Sequence, residues 1–297
     1  MLIRPENFAD YADLNTLHIR AFDNSARVAT LVSLLRTRNT YKPDLSLVAE
    51  IDNNVVGHVV FSPIDCLING ELVRGVNLSP LAVHPDYQKQ GIGGALTREG
   101  HKICKRIGYD FSILLGHPTY YPRFGYQTKA YGASSMTVNT GNLASMPLEM
   151  ANPVPDDVPV LAKLLLDNER DVNLTLIPEN TLAEWLSPNP TVPCTVYRHE
   201  GDIVGYTRGG YGEVRLFLAR DTQSAQAIAK QLAGDKTTIK LPLHPNSGSA
   251  TAFEESAEVS AWDAGMICSF RTDSPVNDYL ASDSVGRVVW FSVFDIA

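Results

Sequence analysis

The chain has 297 residues, a formal net charge of −8 and 44% hydrophobic residues. That length exceeds a usual single core, and there is enough apolar side chain to fill two, so two domains are expected. The acidic balance, with Lys and Arg scattered and no basic run interleaved with aromatics, leaves no footprint for the counterion release that drives nucleic-acid binding. No apolar stretch approaches the roughly 20 residues that cross a bilayer, and Met1-Leu2-Ile3-Arg4-Pro5-Glu6 lacks an apolar leader core, so no membrane partner and a cytoplasmic location are expected. Cys66, Cys104, Cys194 and Cys268 lie far apart without C-x-x-C spacing, which suggests reduced, buried thiols and neither a zinc site nor a disulfide framework.

In chain order, Leu2-Ile3-Arg4 predicts a short strand. Phe8, Tyr11, Leu14 and Leu17 recur every three residues and predict a helix from about Phe8 with these four facing inward. Val28, Leu31, Val32 and Leu35 predict a second helix, and Leu45 to Ile51 a second strand. Asp52-Asn53-Asn54 turns the chain into a third strand, Val55 to Phe61. Asn69-Gly70 is a two-residue hairpin signal, because both positions of a type I′ turn require positive φ, and it leads into a fourth strand ending at Val83. A helix from about Gly93 to Ile107 is expected to turn Ala95, Leu96 and Ile103 inward, before a fifth strand at Phe111 to Leu115.

The junction between the fourth strand and that helix carries the chemistry. Leu81-Ala82-Val83-His84-Pro85-Asp86-Tyr87-Gln88-Lys89-Gln90-Gly91-Ile92-Gly93-Gly94 runs an apolar strand into a glycine-rich turn. Without Cβ atoms in the way, the backbone N–H groups of such a turn can line an anion site at the positive end of the helix dipole, and a pyrophosphate is the expected guest. The Walker pattern is absent, since Gly94-Ala95 stands where Gly-Lys-Ser/Thr is needed, and the dinucleotide G-x-G-x-x-G is absent too.

The pattern present, Gln88-x-x-Gly91-x-Gly93, resembles the Q/R-x-x-G-x-G/A loop with which the GNAT N-acetyltransferase superfamily holds the pyrophosphate of acetyl-CoA. Phe111-Ser112-Ile113-Leu114-Leu115-Gly116-His117-Pro118-Thr119-Tyr120-Tyr121-Pro122-Arg123-Phe124-Gly125-Tyr126 is similar to the strand-helix-turn after the loop in the YhbS-like branch. A tyrosine there stands four residues before a glycine, the place of Tyr121. Val48-Ala49-Glu50 and Val55-Val56-Gly57-His58-Val59-Val60-Phe61-Ser62-Pro63 resemble the second and third strands of the same branch, and the likeness covers residues 1 to about 140. It implies an α+β fold, a mixed sheet flanked by helices, with residues 1–145 as an acetyl-CoA-binding catalytic domain.

The resemblance further implies transfer of an acetyl group from acetyl-CoA to an amine by direct attack, without a metal. Carried over, backbone groups of Leu81, Ala82 and Val83 would hold the pantetheine arm and polarise the carbonyl. Gln88, Lys89, Gln90, Gly91, Ile92, Gly93 and Gly94 would hold the diphosphate, and Tyr121 would act as general acid, with Tyr120 as the alternative facing the thiol. A phenol near pKa 10 gives its proton to a thiolate near 8.5 at a cost of about 2 kcal/mol. Many relatives place a glutamate on the fourth strand as base, but Gly75-Val76-Asn77-Leu78-Ser79-Pro80 offers only Asn77 and Ser79. A lysine ε-amine costs about 4.6 kcal/mol to deprotonate at pH 7 and an α-amine only about 1 kcal/mol, so a weakly basic amine is the expected acceptor. His58, His84 and His117 are set aside as bases or ligands, because no pair has metal-ligand spacing and a histidine before proline usually caps a turn. The missing base also fits a competing reading, a non-catalytic acyl-CoA sensor or scaffold.

Met146-Pro147-Leu148-Glu149-Met150-Ala151-Asn152-Pro153-Val154-Pro155 is a proline-punctuated connector, and the residues beyond it echo the first half. Asp156 to Leu165 resembles the opening helix, Gly201-Asp202-Ile203-Val204-Gly205-Tyr206 repeats Asn53 to His58, and Leu243-His244-Pro245 echoes Gly116-His117-Pro118. The interval between the last two landmarks is shorter than in the first half, and the counterpart of the glycine turn, Arg220-Asp221-Thr222-Gln223-Ser224-Ala225-Gln226, contains no glycine. Residues 150–297 are therefore expected to form a degenerate GNAT-like α/β domain without the phosphate loop, with Asn246-Ser247-Gly248-Ser249 as a solvent loop.

Overall fold

The computed structural model describes residues 1–210 and 213–296. Strand β1 (Leu2–Pro5) leads into helices α1 (Tyr11–Ala21) and α2 (Arg27–Leu35), then β2 (Ser46–Ile51), β3 (Asn54–Ile68), β4 (Glu71–Val83), α3 (Ile92–Ile107) and β5 (Phe111–Leu115). The expected inward set of the first helix is corrected at its start: Phe8 is 85% exposed and belongs to a 3-10 turn, while Leu14 and Leu17 are buried. A capping box is the cause, with Asn7 Oδ1 accepting from Ala9 N–H and Asp10 Oδ2 accepting from Asn7 N–H, so the first turn is set before the apolar stripe begins. Leu45 likewise ends a 3-10 turn instead of opening β2, and on α3 the deepest apolar side chains are Ile92, Leu96 and Cys104, with Ala95 and Ile103 half-buried. The turn at Asn69-Gly70 has φ of 50° and 81°, as its hairpin requires.

These strands build a sheet in the order β1-β2-β3-β4-β5, antiparallel except for β4 and β5, which run parallel. Pairing of β3 with β4 steps from Val59↔Leu81 to Phe61↔Leu78, so Ser79 and Pro80 together oppose Val60. The extra residue is a bulge that bends β4. β4 and β5 are joined only at Gly75↔Phe111, Val76↔Ser112 and Asn77↔Ile113, and beyond Asn77 they diverge.

The second half adds β6 (Tyr131–Asn139), β7 (Glu149–Ala151), α4 (Val158–Glu169), β8 (Leu174–Ile177), β9 (Cys194–His199), β10 (Asp202–Gly210), β11 (Glu213–Ala219), α5 (Thr222–Ala233), β12 (Thr238–Leu241), β13 (Glu258–Ala261), β14 (Gly265–Ser269), α6 (Pro275–Ala281) and β15 (Gly286–Arg287). β11-β10-β9-β7 form a second sheet, and β12-β6-β13 a third with β15 alongside β6. The sequence halves interleave. β14 pairs along the free side of β5 and β8 along β3, so a cut at 145/150 would strip two strands from the first sheet. One apolar core joins Phe111 and Ile113 to Leu174, Leu176, Ile267 and Tyr279.

The echo between the halves has a physical basis at two glycines. A Cβ on Gly57 of β3 would lie 2.8 Å from Ile92 Cγ2, and one on Gly205 of β10 would lie 2.2 Å from Ile228 Cδ1 of α5. Each glycine lets a helix settle on its sheet. The backbone repeats as well: His84 N–H donates to Val56 O, and Arg220 N–H to Val204 O, both at 2.9 Å. The segment around Ser247 is corrected, for Ser247 and Ser249 are buried in and beside a 3-10 turn (Gly248–Ala252), where Ser249 Oγ accepts from Ala219 N–H.

Several buried rings are held neutral. Burial lowers His18 to about 3 and His101 to about 4, and lowers His58 and His244 as well. Unfolded, each would titrate near 6.5, so below that pH the unfolded chain binds more protons than the native one and stability is lost as pH falls. The slope is at most about 1.4 kcal/mol per pH unit for each ring. Urea midpoints should therefore drop between pH 7 and pH 4.5, and His101→Gln should flatten the slope by about one proton; a midpoint independent of pH would show that these rings are charged in the fold.

Candidate active site

The divergence of β4 from β5 opens a cleft of ≈ 590 Å³, with the N-terminus of α3 on one wall and a 3-10 turn (Tyr121–Phe124) on the other. Gly91 caps α3 with φ +85° and provides no side-chain acceptor, so the first-turn amides of Ile92, Gly93 and Gly94 face the cleft with helix-dipole support. Two glutamines hold the approach to that turn. Gln88 Nε2 donates to Val83 O at 3.2 Å, and Gln90 Nε2 to Asp86 O at 3.3 Å. The loop is thereby shaped by its own side chains, while the glycines leave the first turn of α3 bare toward the cleft.

Of the residues singled out in the sequence, Leu81, Val83, Gln88, Lys89, Gly91, Ile92, Gly93, Gly94, Tyr120 and Tyr121 all line the cleft. Ala82 does not, because strand alternation turns its side chain under α1 against Leu14, Leu17 and Val48. Gln90 is spent on the loop carbonyl of Asp86. The cleft also gathers Tyr87, Arg98, His117, Arg123 and Phe124, which the sequence motifs do not assign to it. Arg98 lies one turn beyond Gly94 on α3 and its guanidinium stacks over Phe124, while that of Arg123 lies 4.4 Å from the Tyr120 ring centre. The spacing of these arginines from Gly94 and Tyr121 is the one signal the chain offers for them. His117 accepts through its carbonyl from the Tyr120 N–H, so the His-Pro turn that speaks against a catalytic base is what seats the tyrosines.

The two tyrosines occupy different places. A Cβ on Gly93 would meet the Tyr120 hydroxyl at 2.7 Å, which puts this phenol directly on the first turn of α3. Tyr121 is deeper, its ring against Gly116 and edge-on to both Tyr120 and Tyr126. Burial pushes both phenols above the ordinary value of 10, and Tyr121 further than Tyr120, which Arg123 and Arg98 pull back. Tyr121 is thus firmly protonated at neutral pH, and surrendering its proton costs more than for a free phenol. Asn77, at the last paired position before the strands part, is buried with Oδ1 lacking a hydrogen-bond partner among the described residues. His58 is remote from the cleft: it lies under α1 between His18, Ser46 and Glu6, whose carboxylate a bidentate pair with Arg36 keeps ionised.

The acetyltransferase (GNAT) domain family matches residues 3–128. The uncharacterized N-acetyltransferase YhbS of Escherichia coli strain K12 is 38% identical over 132 residues, covering 44% of this chain and 76% of YhbS. The chain belongs to the GNAT acetyltransferase family. The uncharacterized N-acetyltransferase YjhQ of the same strain is 36% identical over 121 residues, 40% of this chain, and the match spans 65% of YjhQ. A GCN5-related N-acetyltransferase from Kribbella flavida superposes with a TM-score of 0.71 over 91% of this chain and 72% of its own at 18% identity, so the fold of both halves together is shared. The structure of Escherichia coli YhbS was determined in complex with CoA; it is 37% identical over 43% of this chain and 69% of its own, with a TM-score of 0.39. Among the described residues no group of three or more His, Cys, Asp or Glu is placed to hold a metal ion, and no helix is long and apolar enough to cross a membrane.

The cradle separates two kinds of glycine. A Cβ at Gly91 would meet no atom within 4 Å, so Gly91→Ala is strained only through its positive φ. It should lower stability by about 1 kcal/mol in urea unfolding. Gly93→Ala should leave stability nearly unchanged and move Tyr120 instead, seen as a change in tyrosine absorbance or in the crystal; an equal loss from both would disprove the distinction.

Proposed function

We propose that this chain is an acetyl-CoA-dependent N-acetyltransferase whose site is the cleft between β4, β5 and the start of α3. One observation carries the reading: the divergence of β4 and β5 leads straight onto the bare first turn of α3, with a protonated tyrosine in the wall. The glycines fit the cosubstrate, since a side chain at Gly91, Gly93 or Gly94 would strain the turn or crowd Tyr120 and Phe124. When bound, acetyl-CoA supplies an acyl group activated as a thioester.

In this reading the amides of Ile92, Gly93 and Gly94 grip the diphosphate, and main-chain groups of Leu81, Ala82 and Val83, freed from β5, bind the pantetheine arm and polarise the carbonyl. An incoming neutral amine then forms the new C–N bond as the C–S bond breaks; Tyr121 Oη delivers a proton to the departing sulfur, and the proton shed by the acylated nitrogen returns through solvent to the phenolate. Its raised pKa makes the roughly 2 kcal/mol for a free phenol a lower bound, unless the thiolate is desolvated to a similar extent. Residues 1–145 hold all of these groups, and residues 150–297 serve as a degenerate copy whose helix α5 is closed to phosphate. The Asp221 carboxylate accepts from Ser224 N–H at 2.8 Å, filling with its own charge the place that Gly91 leaves bare in α3.

Turnover of acetyl-CoA with an amine panel, followed by thiol release, tests the reading. Tyr121→Phe should lower kcat by at least tenfold with the KM for acetyl-CoA within threefold, and unchanged turnover removes the assignment. With Asn77 and Ser79 as the only polar side chains of the diverging stretch, acceptors of low pKa should be favoured: α-amines and weakly basic small amines over lysine side chains at pH 7. A preference for lysine would mean that a base is recruited from elsewhere.

A further inference from the structure

Three cations, Lys89, Arg98 and Arg123, line the cleft, and among the described residues no Asp or Glu lines it. Of the elements that wall it, residues 116–125, β5 and the end of β4 from Leu78 contain no acid. Glu99 of α3 pairs with Lys102 at 2.9 Å, and the Asp86 side chain is 82% exposed and lies 3.7 Å from His84 Nδ1. In a chain of net charge −8, the cleft is therefore a positive patch without compensating carboxylates.

One ring places the two arginines. Each guanidinium lies 5.6 Å from the centre of the Phe124 ring, Arg98 reaching it from α3 and Arg123 from the facing turn. A Cβ on Gly94 would stand 3.1 Å from Phe124 Cζ and 3.4 Å from Arg98 Nη1, so this glycine lets ring and guanidinium close over the first turn of α3. Arg123 Nε donates to Tyr120 O at 3.0 Å. Among the described residues its Nη groups and the whole Arg98 guanidinium have no hydrogen-bond or ion-pair partner. Held against an aromatic ring, a guanidinium keeps N–H groups for an acceptor and loses less side-chain freedom when one arrives. The cleft thus has an order: Tyr121 lies deepest against Gly116, the Tyr120 hydroxyl lies on Gly93, and Phe124 lies on Gly94 with both arginines exposed at the mouth.

We propose that Arg98 and Arg123 form a subsite for a phosphate monoester, the 3′-phosphate on the ribose of coenzyme A, and so select CoA over its dephosphorylated form. The inference rests on the coenzyme reading of the cleft. A diphosphate bridge carries one charge on each phosphate and is met by the amides of Ile92, Gly93 and Gly94 with Lys89 beside them. A monoester carries about −1.5 to −2 at pH 7, which two guanidiniums match in charge and in hydrogen-bond geometry.

The test is calorimetric titration of the full-length protein with CoA and with 3′-dephospho-CoA. At low ionic strength CoA is expected to bind at least tenfold more tightly, with the gap narrowing as salt rises. Arg98→Gln should weaken CoA by at least threefold and leave dephospho-CoA nearly unchanged. For Arg123→Gln, which also releases the brace on Tyr120 O, the readout is the ratio of the two affinities, since a shifted tyrosine affects both ligands alike. The double variant should bind both ligands equally, with circular dichroism confirming the fold of each variant. Equal affinities in the unsubstituted protein, or an equal loss of both ligands in Arg98→Gln, would overturn the subsite and leave the coenzyme site standing. Binding of neither ligand would remove the coenzyme site itself and the subsite with it.

Discussion

The bulge at Ser79-Pro80 is the constraint on which the site depends. Two residues of β4 opposite one of β3 bend the strand away from β5, and Pro80 has no N–H with which to restore the ladder. Parallel pairing therefore stops at Asn77↔Ile113, and the backbone of Leu78 to Val83 stays paired with β3 on one side while its other edge has no β5 ladder, Val83 O being taken by Gln88 Nε2. A straight β4 would have zipped onto β5 and left the first turn of α3 facing a closed sheet edge.

The same strand-helix unit is built twice with opposite outcomes, and the difference is local. Both copies set a glycine under the crossing helix, Gly57 beneath Ile92 and Gly205 beneath Ile228, and both repeat the bond from the residue after the fourth strand to the third strand. In the first copy the connection is long and the cap is Gly91, so the helix N-terminus stays open to an external anion. In the second the connection shrinks to Arg220-Asp221, and the Asp221 carboxylate supplies the anion itself. Helix-dipole physics is identical in the two, and which charge satisfies it is decided by one capping residue.

The two halves are not separable bodies. Met266 and Cys268 of β14 pack in the core beneath Leu114 and Tyr126, and Cys268 Sγ donates to Phe124 O, at the end of the turn that carries Tyr121. The wall of the cleft is thus backed by residues more than a hundred positions away. A substitution on β14 can move the tyrosines without touching the glycine turn directly.

Local chemistry is legible in the chain itself. The Asn69-Gly70 turn, the glycine-rich helix start, the five strands of the first half and the tyrosines after His117-Pro118 each depend on residues within a few positions, through φ preferences and apolar periodicity. Periodicity misplaces Phe8 because a capping box overrides a three-residue repeat, and it misplaces Ser247 to Ser249 because polar residues buried by partners on α4 and β11 look like a loop when those partners are unknown. What only the tertiary structure decided is non-local: that β14 and β8 complete the first sheet, that Ala82 faces α1 while Leu81 and Val83 face the cleft, and that Arg98 and Arg123 converge on it. Strand partners far along the chain carry no local signature, since hydrogen-bonded edges and burial are properties of the packed whole and not of any segment.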